Sequence, residues 1–160
     1  MNKWFYFNFL LLIVAAWKIS TNYAFPQLHI HILFGMVALI LILFNWTRHA
    51  VFSTIRSSTT RSKKIKYANL SKRILPFHRW IGTTALLLIV IHATLVINQF
   101  GFDWKNMKIV SGLLTGSVLV GVGVVISGWM RRIKPSWRKR ITHLRLGLMM
   151  FFLILLHIIL

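Results

Sequence analysis

Four histidines are spaced so that they could bind metal in pairs. His78 and His92 stand fourteen residues apart in the apolar stretch HRWIGTTALLLIVIH, and His143 and His157 repeat the spacing in HLRLGLMMFFLILLH. Fourteen residues of α-helix turn by about 1400°, close to four full turns, so both histidines of a stretch lie on one helical face. The rise between them is about 20 Å, most of the thickness of the hydrocarbon core of a membrane.

A glycine follows the first histidine of each stretch by four residues, Gly82 after His78 and Gly147 after His143. Four residues are about one helical turn, so each glycine lies on the same side of the helix as its histidine. The missing side chain leaves room for a flat group. Two such helices side by side therefore offer two histidine pairs at two depths, which predicts two haem groups stacked across a membrane.

The composition is typical of an integral membrane protein. Hydrophobic residues make up 57% of the 160 residues, and 20 lysines and arginines are set against a single acid, Asp103. Several apolar runs of about 20 residues exceed what a soluble protein of this length carries. The net charge of +19 is concentrated between these runs. This distribution favours membrane topology and contact with anionic lipid over binding of nucleic acid.

We predict an all-α integral membrane protein with a single domain, residues 1–160, formed by a bundle of five transmembrane helices with haem between spans three and five. The first apolar run has no convincing small-residue cleavage site, so we interpret it as an uncleaved anchor. In the first connection we expect SSTTRSKK to be a flexible linker and KIKYANLSKRIL to be a surface helix. The spans cover about residues 4–19, 28–46, 76–97, 109–130 and 137–160, and the basic connections cover 47–75 and 131–136.

Basic residues predict the orientation in the membrane. All but three of the 20 lie near the N-terminus or in and beside the two basic connections; the exceptions are Lys18, Lys105 and Lys108. The positive-inside rule places the N-terminus and both connections in the cytoplasm and, after five spans, the C-terminus outside the plasma (inner) membrane. Spans three and five then run in the same direction. His78 and His143 consequently share the inner level, and His92 and His157 share the outer level.

The chemistry of these histidines favours haem iron over other metals. Zinc and copper sites use ligands at one depth, often with thiolates or carboxylates, yet the chain has no cysteine and one acid. A proton relay would more naturally include an acid. Iron held by two imidazoles has no open position, so two haem b groups bound in this way suit electron transfer better than oxygen binding.

Several other residues have two interpretations each. Arg79 and Arg145 lie within two residues of an inner histidine and are candidates to pair with haem propionates, although topology alone also explains their charge. The glycines of span four indicate close helix packing. In the second interpretation, some of them also clear space for a porphyrin edge. We interpret His29 and His31 as surface histidines in preference to an external metal or substrate site, and His49 as part of the first basic connection.

The histidine motifs resemble the ferric reductase-like transmembrane domain family. That family includes the membrane halves of NADPH oxidases and yeast metalloreductases, and the bacterial haem subunit of the periplasmic methionine sulfoxide reductase system. The matching motifs are HRWIG-x9-H at 78–92 and WRKRITH at 137–143 followed by His157. The resemblance covers about residues 74–160, and the first two spans match by topology.

The resemblance implies an oxidoreductase membrane subunit, with His78 and His143 on the inner haem iron and His92 and His157 on the outer one. It also implies electron flow from a cytoplasmic flavin to an acceptor outside. The chain departs from the family in having five predicted spans instead of six and no flavin or nicotinamide domain. We therefore expect a donor that is a separate flavoprotein, a bound FMN or FAD, or a quinol.

Two alternatives remain at this point. Quinol-oxidising cytochrome b subunits use similar histidine spacings, but such a subunit needs a quinone pocket, and no sequence feature identifies one. A non-redox basic membrane protein would bind anionic lipid and would be colourless when purified. The colour of the protein distinguishes this second alternative from both redox functions.

Overall fold

Helices account for almost all of the chain that the computed structural model describes. It describes residues 3–22, 29–57, 60–126 and 137–160, with side chains except those of 124–126 and 137–140. These residues form six α-helices and a π-helical segment, and no β-strand occurs among them. The elements are α1 Lys3–Asn22, α2 Ile30–Ser57, α3 Arg61–Ile74, α4 Phe77–Phe100, α5 Met107–Val120, the π-helical segment Gly121–Ile126 and α6 Trp137–Ile159.

The all-α membrane class predicted from the sequence is confirmed. Four helices are long and apolar enough to cross a membrane, namely Lys3–Asn22, Ile30–Ser57, Phe77–Phe100 and Ile141–Ile159. A fifth apolar helix, Met107–Gly123, is shorter. The number of five spans therefore stays a prediction. The end of the predicted fourth span at 127–130 and the connection 131–136 lie outside the described residues.

The second helix extends well beyond the predicted end near residue 46. Residues 47–57, expected to begin a basic connection, continue α2 to Ser57. The helix itself accommodates the polar side chains: the Thr54 hydroxyl donates to the Ala50 carbonyl at 2.8 Å, and the Arg48 guanidinium carbon lies 5.5 Å from the centre of the Phe52 ring. Polar residues end the apolar run without ending the helix, because the segment contains no glycine or proline.

The remainder of the first connection is also more helical than expected. The predicted surface helix is present as α3, but it begins at Arg61 and so includes all of RSKK, the second half of the stretch that we expected to be a flexible linker. Residues 58 and 59 lie outside the described part. Most of the α3 side chains are exposed, in keeping with a basic helix at a surface.

Helix α2 is the central element of the bundle. Its closest packing is against α4, and it also contacts α1 and α3. Ala38 and Ala50 of α2 are completely buried, because small side chains allow the neighbouring helices to approach closely. Helix α6 packs mainly against α5 and more weakly against α1. The backbones of α4 and α6 make few or no close contacts, so a gap separates the two helices that carry the histidine motifs.

Helix α1 is an integral part of this bundle. Leu11 is only 2% exposed and Ala15 is 6% exposed, and both belong to the main apolar core. The Asn8 side-chain amide donates to the Leu43 carbonyl of α2 across a buried interface, at 3.4 Å. Helix α1 thus packs as part of the bundle, and the uncleaved anchor inferred for the first apolar run stays a prediction.

The side-chain burial in α1 yields a test with a built-in control. We expect Leu11→Ala to lower the free energy of unfolding by about 2 kcal/mol or more, because it leaves a cavity in the core. The neighbouring Leu10 is 55% exposed, so Leu10→Ala should change that free energy by less than about 0.5 kcal/mol. Denaturation of both variants in the same detergent measures the difference. Equal stabilities would show that α1 does not pack as described.

Two pairs of facing histidines form a candidate cofactor site

Two pairs of histidine rings face each other across the gap between α4 and α6. The ring centres of His78 and His143 are 6.3 Å apart with planes at 78°, and those of His92 and His157 are 6.5 Å apart at 84°. The pairing is the one predicted from the helical spacing. We call His78 and His143 the inner pair and His92 and His157 the outer pair, after the predicted orientation.

The separation within each pair matches the length of a metal bridge. A bond from a metal ion to an imidazole nitrogen is about 2 Å, and that nitrogen lies about 1.1 Å from its ring centre, so two rings on opposite sides of one ion have centres about 6.3 Å apart. Aromatic rings in direct contact have centres about 4.5–7 Å apart as well, and those of His31 and His92 are 6.1 Å apart, so the distance permits a metal bridge without requiring one. Each pair is thus spaced to hold one metal ion between two nitrogens.

The outer pair is held in the tautomer that suits metal binding. His92 Nδ1 lies 2.7 Å from the carbonyl oxygen of His31, which can only accept, so Nδ1 carries the proton. His157 Nδ1 lies 3.1 Å from the Ser111 hydroxyl oxygen. That hydroxyl donates its own proton to the Lys108 carbonyl at 2.9 Å, and so accepts from Nδ1. Both rings therefore keep a lone pair on Nε2, the atom that a metal would bind.

Two glycines from neighbouring helices support the outer rings. A Cβ atom added at Gly35 of α2 would lie 3.1 Å from His92 Nδ1, and one added at Gly112 of α5 would lie 3.0 Å from His157 Cε1. Contacts this short require the imidazole to move. Glycine is needed at both positions because each outer ring rests directly on the backbone of the adjacent helix.

The glycines predicted from the motif have a different environment. A Cβ atom at Gly82 would lie 3.3 Å from the Asn45 side-chain nitrogen, and one at Gly147 would lie 3.1 Å from the Trp46 ring. In this structure both glycines allow close packing against α2. Their predicted role in making room for a flat cofactor stays a prediction.

A cavity of about 410 Å³ adjoins the outer pair. This volume is within the range of about 300–1,000 Å³ found for small-molecule sites. Five helices contribute to its wall, which is mostly apolar around Leu39 and Ile154 and includes both outer histidines. Two lysines, Lys18 and Lys108, also line it. The cavity thus combines an apolar interior, two potential iron ligands and two cations.

The inner pair is accompanied by buried polar atoms without partners. The Nδ1 atoms of His78 and His143 and the Nε atom of Arg48 are buried and make no hydrogen bond. Arg48 is close enough to both imidazoles to act on them electrostatically. A buried guanidinium nitrogen without an acceptor is costly.

The arginines predicted to pair with propionates are less favourably placed. Arg79 acts electrostatically on His78, but its side chain is exposed, and the side chain of Arg145 is exposed as well. Arg48 was overlooked because it follows the apolar run of span two and had been counted with the basic connection. Helical continuity could have identified it: no glycine or proline follows the apolar run, so the helix continues through Arg48.

The interpretation of His31 as a surface histidine is wrong. Its side chain is 5% exposed and its ring centre lies 6.1 Å from that of His92, while its carbonyl orients His92. His29 is exposed and stacks on His31, with ring centres 5.5 Å apart. His49 does not lie in a loop either: it is within α2, with its ring centre 4.8 Å from that of Trp4 and 5.0 Å from that of Trp46.

The contacts of the outer histidines generate a test. We expect Gly112→Ala to weaken binding of haem at the outer pair by about tenfold, since His157 must move by several tenths of an ångström. A Cβ atom at Gly121, farther along the same stretch, would meet nothing within 4 Å, so Gly121→Ala is the matched control. Haem titration followed by absorbance measures both affinities. Unchanged binding in Gly112→Ala would contradict the close approach of the ring.

Groups of three or more potential metal-binding side chains are not found among the described residues. Each site therefore offers a metal two imidazoles and no more. Comparison of the chain with protein-family models, with curated proteins and with solved structures finds no match.

Proposed function

We propose that the chain holds two haem b groups, one at the inner pair and one at the outer pair, and conducts electrons across a membrane. It would be the membrane subunit of an oxidoreductase of the ferric reductase-like kind. Its donor would be a cytoplasmic flavin or flavoprotein, and its acceptor would lie on the outer side. The observation that carries this proposal is the separation of the ring centres, 6.3 and 6.5 Å, at both predicted pairs.

The number of ligands favours haem over a bare metal ion. A structural zinc ion takes four protein ligands, and copper sites take three or more. Two imidazoles satisfy neither, and no further histidine or acid completes a group of three in the described chain. Haem iron receives four nitrogens from its porphyrin and needs two axial ligands, the number that each pair supplies. When bound, haem supplies one-electron chemistry without an open iron position.

The protein provides ligands, orientation and insulation for this chemistry. Helix α4 is continuous from Phe77 to Phe100 and carries one ligand of each pair, which are about 20 Å apart along its axis. Apolar side chains of α2 and α6 form the core between these levels. The His31 carbonyl and the Ser111 hydroxyl fix the orientation of the outer imidazoles. Rigid ligands limit reorganisation when the charge of the site changes.

Five spans and a cytoplasmic N-terminus belong to the same proposal. The short apolar helix Met107–Gly123 is the candidate for the additional span. It must cross if α4 and α6 are to run in the same direction, which is needed for His78 to face His143 and for His92 to face His157. The contacts within the two pairs therefore support the topology inferred from the basic residues.

The basic helix α3 is the proposed docking surface for the electron donor. Its exposed cations sit on one short amphipathic helix between α2 and α4 and include Lys63, Lys64, Lys66, Lys72 and Arg73. An acidic flavoprotein or a flavin phosphate would be attracted to this charge, and the attraction would weaken with increasing salt. Contact of α3 with anionic lipid would use the same residues.

Substitution of the histidines tests the proposed function. The parent protein should contain two low-spin haems per chain by pyridine haemochrome assay, one for each pair. His78→Leu and His143→Leu should each lose the same component of the reduced-minus-oxidised spectrum, and His92→Leu and His157→Leu should each lose the other. His29 lies outside both pairs and is exposed, so His29→Leu should retain both components.

Three results would contradict the proposal in different ways. A colourless parent protein from haem-replete cells would exclude both redox functions and favour a basic lipid-binding protein. Losses that grouped His78 with His92 would exclude the bridging of α4 to α6. Full haem content in all four variants would place the ligands elsewhere.

The charge of Arg48 should influence the inner site. We expect Arg48→Gln to lower the reduction potential of the inner haem by tens of millivolts, because removal of a nearby cation favours the oxidised, more positive state. Arg56 lies two helical turns farther along α2 and has the same charge, so Arg56→Gln is the control. Potentiometric titration followed at the inner spectral component measures the shift. Identical potentials in the two variants would show that Arg48 does not face the haem.

A further inference from the structure

Two lysines from different helices line the outer cavity. Lys18 is near the end of α1 and Lys108 is at the start of α5. The charge of Lys18 acts on Lys108. The charge of Lys108 also acts on His157 and on His31. Two cations and the outer pair therefore share a single cavity.

No acidic side chain balances these two cations. Asp103 is the only acid in the sequence, and its carboxylate accepts a hydrogen bond from the backbone nitrogen of Lys105 at 2.9 Å. Two like charges near each other repel; Lys18 is half-buried and Lys108 is exposed, so water screens part of this repulsion. The pair is expected to be stable when an anion lies between or beside the two ammonium groups.

We infer that Lys18 and Lys108 bind the two propionates of the haem at the outer pair. This inference rests on the proposed function, because it requires haem between His92 and His157. It adds the orientation of the cofactor: the propionate edge would lie toward Lys18 and Lys108. The two lysines are positioning residues and do not touch the iron.

The lining of the cavity favours haem carboxylates over a lipid phosphate. The headgroup of an anionic lipid presents one phosphate. This cavity instead has the two imidazoles of the outer pair and two lysines in a wall that is otherwise mostly apolar. Haem has the matching distribution, with both carboxylates on one edge of an apolar ring.

The test compares haem with its dimethyl ester, which retains the iron and the ring but has no free carboxylate. Each is reconstituted into the full-length parent, into Lys18→Gln/Lys108→Gln and into Lys63→Gln/Lys64→Gln, all in neutral detergent. Lys63 and Lys64 are exposed residues of α3 and are not among the cavity residues, so this control removes the same charge elsewhere. Loss of the outer spectral component to excess apomyoglobin gives the dissociation rate.

We expect haem to leave the outer pair of Lys18→Gln/Lys108→Gln about tenfold faster for each lost ion pair, while loss from the inner pair is unchanged. The ester should leave the parent and this variant at equal rates, because it has no carboxylates to lose. In the control variant haem should be retained as in the parent.

The other outcomes distinguish failure of the inference from failure of the proposed function. Equal dissociation of haem from the parent and Lys18→Gln/Lys108→Gln would overturn the inference and leave the proposed function intact. Faster dissociation of haem and ester alike would overturn it as well, since the lysines would then support the cavity without binding carboxylates. Absence of haem from the outer pair of the parent would contradict the proposed function itself.

Discussion

Hydrocarbon cannot form hydrogen bonds, and this constraint governs every polar group inside the bundle. A buried imidazole or guanidinium must find its partner in the protein or in a bound group, because lipid supplies none. The outer histidines use Nδ1 for contacts with the His31 carbonyl and the Ser111 hydroxyl. Nδ1 is thus occupied in both rings, and Nε2 is the nitrogen left for the proposed metal.

The inner pair is built differently from the outer pair. Its Nδ1 atoms and the Nε atom of Arg48 are buried without hydrogen bonds. The outer imidazoles are thus fixed by the protein, whereas the inner site leaves both ring orientation and charge to be satisfied by a bound group. Because hydrogen bonds from Nδ1 raise the basicity of an axial imidazole, the two proposed haems would have different reduction potentials. Under the proposed function, that difference would give electron flow a direction.

Helix α2 connects both sites although it carries none of the four ligands. Near its start, the His31 carbonyl and Gly35 contact the outer ligand His92. Farther along, Asn45 donates to the His78 carbonyl at 3.2 Å, and Arg48 lies beside the inner pair. Substitutions in α2 can therefore alter either cofactor site without removing a ligand. The same helix is the main packing partner of α4.

The pairing of the histidines could be predicted from the sequence because it depends on local geometry. A spacing of fourteen residues places two side chains on one face of any α-helix, and equal spacings place the pairs at matching depths. The membrane class followed equally directly from the apolar runs. The described structure brings together His78 with His143 and His92 with His157, as that reasoning requires. Haem binding and orientation in the membrane are proposals built on this arrangement.

The surroundings of the histidines could be learned only from the tertiary structure. Gly35, Ser111 and the His31 carbonyl reach the outer rings from α2 and α5, and no periodicity within α4 or α6 indicates which neighbours pack there. From the sequence, Lys18 and Lys108 are only charges on one side of the membrane, yet in the structure both line one cavity. Arg48 was assigned to a connection because hydropathy marks where an apolar run ends, while a helix ends only where its backbone hydrogen bonds end. Contacts between distant segments depend on how helices pack, and that information is not local in the sequence.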